Sequence, residues 1–145
     1  MNALTVGEER TYEQDPLFAI RVLADIALRA LSPAVNVPTT AVQALVAMDG
    51  LLRALATREL DIGRITGSDG TLRITFVLPT WEDYLAVALD EIIALREISP
   101  NVSRRILRLL DDLEAITPAR RHPALAARRR QIQDPNAQSP VDHTA

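Results

Sequence analysis

Residues 25–45, DIALRALSPAVNVPTTAVQAL, contain the end of one apolar helix, a proline-rich corner and the start of a second helix. Ser32-Pro33 ends the first helix, because the residue before a proline is disfavoured in the α conformation. Pro38 suits the first turn of the next helix, where its missing N–H leaves no hydrogen bond unmade. Val37 is then the N-cap, and its side chain has no hydrogen-bond acceptor. Such a cap costs about 1 kcal/mol, unless Asn36, Thr39 or Thr40 caps the helix instead.

The helix before the corner, PLFAIRVLADIALRAL (residues 16–31), carries only three charges: Arg21, Asp25 and Arg29. Their spacing places them on one narrow stripe of the helix, and the remaining surface is almost wholly apolar. We therefore expect a helix that is buried on most sides. The stripe is either a solvated edge with local ion pairs or a surface that contacts a partner or ligand.

Three short motifs around the corner carry a family resemblance. They read R-T-x-x-Q-D, A-L-S-P and N-x-P-x-T-A, and are formed by Arg10, Thr11, Gln14 and Asp15, by residues 30–33, and by Asn36, Pro38, Thr40 and Ala41. On these residues the chain resembles domain-of-unknown-function family 2254, a family of predicted bacterial membrane proteins. Val37 departs from the pattern, since the family has an aspartate there. The resemblance implies membrane association in full-length relatives and supplies no mechanism.

Composition favours a helical chain with an aliphatic core, because 48% of the residues are hydrophobic and only 3% are aromatic. The sequence has no uninterrupted apolar window of 18 or more residues, so we expect no membrane span. Residues 1–15 carry several acidic side chains, unlike a signal peptide. As the chain stands, these features predict a cytoplasmic location.

All 16 basic residues are arginines, and their distribution is uneven. Residues 1–100 have a formal charge of −6, and residues 101–145 have a charge of +3. A basic patch is predicted from Arg120, Arg121, Arg128, Arg129 and Arg130. It is either a solvated face or a surface for an acidic protein, a membrane or nucleic acid. The acidic first hundred residues and the lack of interleaved aromatics argue against nucleic acid.

Hydrophobic periodicity predicts a mainly α fold: a bundle of four to five helices with one small β-hairpin between helices two and three. The helices are expected at about residues 16–31, 38–59, 80–95, 100–116 and 119–132, and the hairpin near 61–78. Residues 1–15 are expected to be irregular, with a short edge strand at residues 4–6. Residues 16–132 form the helical domain, and residues 133–145 are expected to be a disordered tail.

The sequence carries no recognisable catalytic or metal-binding motif. There is no cysteine, neither histidine has a partner at metal-ligand spacing, and there is no P-loop, dinucleotide fingerprint or G-x-S-x-G. Adjacent carboxylates on the predicted helices point about 100° apart, so each pair is split between faces. We predict no catalytic residue, metal or cofactor.

The sequence therefore favours a non-catalytic helical domain that self-associates or binds a protein partner through the first helix and the corner. The alternative is a regulatory domain that binds a small ligand or anion, and a third alternative is an enzyme of unrecognised type. The candidate contact residues for either of the first two functions are Arg21, Asp25, Arg29, Asn36, Thr39 and Thr40. A membrane surface is a further candidate partner by resemblance.

Overall fold

Helices account for most of the residues that the structure, a computed structural model, describes: 15–60, 64–75 and 77–138. Within these ranges there are five helices and two short strands. They are α1 (Pro16–Ala30), α2 (Pro38–Ala56), β1 (Arg64–Thr66), β2 (Leu72–Thr75), α3 (Trp81–Leu85, continued by a π-helical stretch Ala86–Asp90 and by Glu91–Ile93), α4 (Pro100–Ile116) and α5 (His122–Gln133, preceded by a 3₁₀ turn Ala119–Arg121). The prediction of a mainly helical chain is confirmed.

Helix α1 is held at its start by Asp15, whose carboxylate accepts a hydrogen bond from the N–H of Phe18 (3.1 Å). Its buried face consists of four alanines and Ile20. Small side chains allow neighbouring helices to approach closely, and α1 packs against α2 and the π-helical stretch of α3. Apart from the stripe of Arg21, Asp25 and Arg29, only Ile26 of α1 is exposed (44%), so the helix is buried or half-buried on most sides as expected.

The core is one cluster of buried residues that come from all five helices. Its largest completely enclosed side chains include Leu45, Met48, Leu52, Leu85, Leu89, Ile92, Ile106, Leu109, Leu110 and Leu113. Apolar periodicity also predicts Leu95 and Ile116 in the core, but Ile116 is exposed at the end of α4, and Leu95 lies beyond the end of α3. Helix α2 also ends at Ala56 rather than near Glu59.

The starts of α3 and α4 differ in their capping. Thr80 Oγ1 accepts a hydrogen bond from the N–H of Asp83 (3.2 Å), and the Asp83 carboxylate accepts one from the N–H of Thr80 (2.7 Å). This reciprocal pair is a capping box, which the sequence T-W-E-D at residues 80–83 favours. Ser99 occupies the N-cap position of α4, but its side chain makes no cap hydrogen bond.

Strands β1 and β2 pair antiparallel, with an irregularity between Ile65 and Thr66. The ladder is shorter than the hairpin expected near residues 61–78. The strand that was expected to continue to Leu78 ends at Thr75, and the side chain of Leu78 is 40% exposed. Residues 61–63 and 76 of the predicted hairpin lie outside the described residues.

Predictions for the two ends of the chain are only partly covered by the structure. The expected edge strand at residues 4–6 and the motif residues Arg10, Thr11 and Gln14 lie outside the described residues, as do residues 139–145. At the start of the expected tail, a 3₁₀ turn spans Pro135–Gln138.

Val37 is the N-cap of α2 and makes no side-chain cap hydrogen bond, as its aliphatic side chain requires. The backbone conformation of Val37 resembles that of Asp15, whose side chain does cap a helix. Val37 has φ −116° and ψ 81°, and Asp15, which caps α1 and also precedes a proline, has φ −136° and ψ 88°. An aspartate at position 37 would therefore fit the existing backbone.

We expect Val37→Asp to stabilise the fold by about 1 kcal/mol, because a carboxylate there can accept a hydrogen bond from the first turn of α2. Its charge also lies at the positive end of the helix dipole. Urea unfolding of Val37→Asp against Val37→Leu measures the difference, since leucine cannot cap. Equal unfolding midpoints for the two variants would contradict this assignment.

Candidate functional site: two grooves at the α1–α2 corner

The corner between α1 and α2 is fixed by backbone hydrogen bonds. The N–H of Val37 donates to the carbonyl of Ala30 (2.7 Å), and the N–H of Asn36 donates to that of Ser32 (2.9 Å). Asn36 has a φ of 47°, a left-handed conformation that asparagine tolerates better than most residues. The last turn of α1 is thus tied to the first turn of α2, and one groove opens on each side of that turn.

The apolar groove lies between α1 and the corner and has a volume of about 440 Å³. Three exposed aliphatic side chains contribute to its wall: Ile26 (44% exposed), Val35 (50%) and Val37 (40%). Its remaining lining residues are Val22, Asp25, Arg29, Ala30 and Thr40. Within the described part of the chain, Asp25 and Arg29 form no ion pair, so the groove combines an apolar wall with two unpaired opposite charges.

The basic groove lies between the start of α2 and the first two turns of α4, and has a volume of about 480 Å³. It is lined by Pro38, Thr39, Val42, Asn101, Arg104, Arg105 and Arg108. No carboxylate is among these residues. The chemistry of this groove is therefore opposite to that of the apolar groove, although both begin at the same helix turn.

The six residues predicted to form one site are divided between surfaces. Asp25, Arg29 and Thr40 line the apolar groove, whereas Thr39 lines the basic groove. Arg21 lies about one turn before Asp25 on α1 and lines a different groove, together with Asp83. The anion donors predicted at the corner therefore do not converge on one point.

A buried carboxylate accepts a hydrogen bond from one of the arginines that line the basic groove. Asp49 on α2 is 5% exposed and accepts hydrogen bonds from Arg53 (2.9 Å) and Arg105 (2.7 Å). Arg53 also contacts Asp112 (2.8 Å), so Asp112 pairs across helices instead of with Arg108 on its own helix. The hydrogen bond from Arg53 to Asp49 raises the pKa of the Arg53 guanidinium. This network joins α2 to α4 and fixes the position of Arg105.

Arg121 was predicted in a basic surface patch, but it is an interior residue with 6% exposure. Its guanidinium donates hydrogen bonds to the carbonyls of Leu55 (3.1 Å), Ala56 and Arg58 (2.7 Å), at the end of α2. It also lies over the ring of Trp81, 5.2 Å from the centroid. Burial lowers the pKa of Arg121, yet an arginine stays charged in this range. Arg121 therefore caps α2 from a distant part of the chain.

Arg128 is likewise buried, at 4% exposure. It contacts Asp90 at the end of the π-helical stretch (2.8 and 3.1 Å) and Glu82 in the first turn of α3 (2.6 Å). Arg129 pairs with Asp111 (2.6 Å) and Glu114 (2.7 Å) on α4. The hydrogen bond from Arg129 lowers the pKa of Glu114. These arginines join α5 to α3 and α4.

The predicted basic patch is thus reduced to Arg120 and Arg130 as exposed members. Arg120 is 3.7 Å from Glu59, and both side chains are more than 60% exposed, so the pair contributes about 0–1 kcal/mol at most. Among the described residues, Arg104 and Arg108 on α4 are also exposed, and Arg105 between them is half-buried. The sequence pattern places Arg104, Arg105 and Arg108 on the polar face of an ordinary amphipathic helix, so it gives no reason to select them as a site.

The sequence that forms the corner and both grooves matches a known protein family. A family model described as Predicted membrane protein (DUF2254) matches residues 1–112, which include the corner and both grooves. The chain belongs to this family. The resemblance predicted from the motifs around Ser32-Pro33 is confirmed.

The chain is also similar to uncharacterized proteins of Mycobacterium bovis and of two strains of Mycobacterium tuberculosis. Each is 36% identical to it over 118 residues, which is 80% of this chain and 23% of the relative. The chain thus spans less than a quarter of the length of these relatives. No solved structure matches it. Among the described residues, no helix combines the length and apolar character needed to cross a membrane.

We expect Arg121→Lys to destabilise the fold by about 1–3 kcal/mol, because an ammonium group cannot reach three carbonyls and stack on Trp81 at once. The matched control is Arg130→Lys, at an exposed arginine that has no partner among the described residues. Urea unfolding of both variants measures the effect. If both variants unfold at the wild-type midpoint, Arg121 does not hold the end of α2.

Proposed function

We propose that this chain is a non-catalytic helical interaction domain that self-associates through the apolar groove. The observation that carries the proposal is the cluster of Ile26, Val35 and Val37, each at least 40% exposed, around one cavity. Removing aliphatic side chains from water lowers the free energy of the complex by about 25 cal/mol per Å² of apolar area. A contiguous set around a groove is typical of a contact surface rather than of scattered surface residues.

The charges at the groove favour a second copy of the chain as the partner. Asp25 and Arg29 are one turn apart on α1, are exposed and lack ion pairs in the described residues. Under a two-fold axis, Asp25 of one copy can meet Arg29 of the other, and the reverse pair forms at the same time. Exposed pairs contribute little affinity, but they define register and orientation. The groove is therefore self-complementary in charge as well as apolar.

The size of the groove predicts weak association. A standard protein interface uses about 20–30 residues on each side, and the apolar groove has eight lining residues. The rest of the exposed stripe on α1, including Arg21, would have to join the contact. We expect a dissociation constant that is roughly micromolar, at the weak end of the range for interfaces.

The non-catalytic part of the proposal is supported by where the reactive side chains are used. His122 lies with its Nε2 3.0 Å from the carbonyl of Thr117, a contact inside the turn before α5. Asp49 is occupied by two arginines, and Asp90 is occupied by Arg128. In the much longer relatives, the same α1 face would serve as a contact between copies of the family member.

The test is sedimentation velocity over a concentration series for the wild type, Val35→Asp and Val46→Asp. Val35 lines the apolar groove and is 50% exposed, whereas Val46 lies on α2 outside the groove and is 53% exposed. We expect Val35→Asp to raise the dimer dissociation constant more than about tenfold, because an unpaired charge would be buried. Val46→Asp should leave it within about twofold.

A second variant separates association from folding. Val37→Asp introduces a charge into the same groove while capping α2, so it should weaken association without loss of stability. A wild type that remains monomeric at all concentrations would refute self-association. Equal weakening by Val35→Asp and Val46→Asp would place the contact outside the apolar groove.

A further inference from the structure

We propose that the basic groove binds the phosphate group of an organic phosphate. The site consists of Arg104, Arg105, Arg108 and Thr39, with Pro38 and Val42 as its apolar wall. It is separate from the apolar groove, and no residue lines both. The proposal therefore does not depend on self-association.

Two of the arginines are already positioned toward the groove by neighbouring groups. Arg104 donates to the side-chain oxygen of Asn101 (2.6 Å) and to the carbonyl of Pro100 (3.3 Å). Arg105 donates from one Nη atom to the buried Asp49 (2.7 Å). Each guanidinium has five N–H donors, so both retain donors for a ligand. Positioning before binding reduces the conformational entropy that a ligand would have to offset.

Arg108 is the arginine of this groove whose guanidinium keeps the most hydrogen-bond donors for a ligand. It is exposed, lines the groove, and has neither a hydrogen bond nor an ion pair among the described residues. Arg121, Arg128 and Arg129, by contrast, all contact carbonyls or carboxylates. An unpaired arginine beside two fixed ones forms a donor array, and the planar fork of arginine matches a phosphate in two-point contacts.

The charge at the groove is not neutralised locally. The nearest carboxylate that contacts a lining residue is Asp49, which is buried behind the groove and shared between Arg53 and Arg105. Three guanidinium groups thus line the groove, and one of them is paired with a carboxylate in the described residues. A dianionic phosphate would relieve their mutual repulsion.

Two helix starts add to the positive potential that the arginines create. Both α2 and α4 begin at this groove with a proline, and neither has a side-chain cap hydrogen bond. The first residue of each helix is a proline without an N–H, and the N–H of Thr40 in α2 donates to the carbonyl of Val37 (3.1 Å). The helix dipole is positive at both starts. The arginines carry the proposal, and the helix starts strengthen it.

The dimensions of the groove indicate an organic phosphate rather than a bare ion. Its volume of about 480 Å³ lies in the range of small-molecule sites, about 300–1,000 Å³. Inorganic phosphate would fill only a small part of it, and Val42 and Pro38 offer an apolar surface to the remainder of a ligand. A nucleotide or sugar phosphate and a phospholipid headgroup share this chemistry.

The experiment is isothermal titration of the whole chain with pyrophosphate and with ATP in magnesium-free buffer. The variants are Arg108→Gln and, as a matched control, Arg130→Gln, an exposed arginine on α5 without a partner in the described ranges. We expect Arg108→Gln to weaken ATP binding about tenfold, as the loss of one charged hydrogen bond does. Arg130→Gln should change it less than about twofold.

Co-sedimentation with phosphatidylcholine vesicles containing phosphatidic acid distinguishes the two sources of phosphate. Arg108-dependent binding to ATP without binding to vesicles assigns a soluble organic phosphate, and Arg108-dependent binding to vesicles assigns a lipid headgroup. No binding of any probe by the wild type would overturn the proposal. An equal loss in Arg108→Gln and Arg130→Gln would also overturn it, because it would reduce the effect to overall charge.

Discussion

The burial of Arg121 is the contact on which the arrangement of the helices depends. The end of α2 leaves carbonyls without intrahelical partners and carries the negative end of the helix dipole. A guanidinium cannot be neutralised at ordinary pH, so its burial requires acceptors, and the end of α2 supplies three. Because Arg121 also stacks on Trp81 at the start of α3 and leads into α5, one charge joins three helices.

A buried guanidinium needs acceptors, and this need separates the arginines that hold helices together from those that keep donors toward the basic groove. Arg121, Arg128 and Arg129 are used by the fold, since each is held by carbonyls or carboxylates of another helix. Arg105 belongs to both groups, because Asp49 fixes one of its Nη atoms and leaves its other donors toward the basic groove. Arg108 has no structural partner in the described residues. Arg108 therefore differs from the arginines that hold the helices together in lacking a partner among the described residues, which a count of charges cannot show.

Local sequence patterns were sufficient for the helices and insufficient for the sites. Three local signals predict the helices: the proline positions, the Thr80–Asp83 capping box and the apolar periodicity. Each signal depends on residues within one or two helical turns. The role of Arg121 depends on carbonyls more than sixty positions away, and Asp49 pairs with an arginine 56 positions away. The cluster RRHPALAARRR read as a basic patch because sequence alone does not show which acids α3 and α4 bring to it. The stripe of Arg21, Asp25 and Arg29 was found, but the apolar neighbours Ile26 and Val35 that define its groove were not.

Position 37 lines the apolar groove and directly precedes Pro38, which lines the basic groove. By the resemblance, the family has an aspartate there, which would cap α2 and place a negative charge at its first turn. Valine has the opposite effects: it leaves first-turn N–H groups without a side-chain acceptor, and it extends the apolar wall beside Ile26. An aspartate would compete with an anionic ligand on one side of the turn and oppose apolar contact on the other. Valine at position 37 therefore favours apolar contact at one groove and leaves the first turn of α2 without a side-chain cap beside the other.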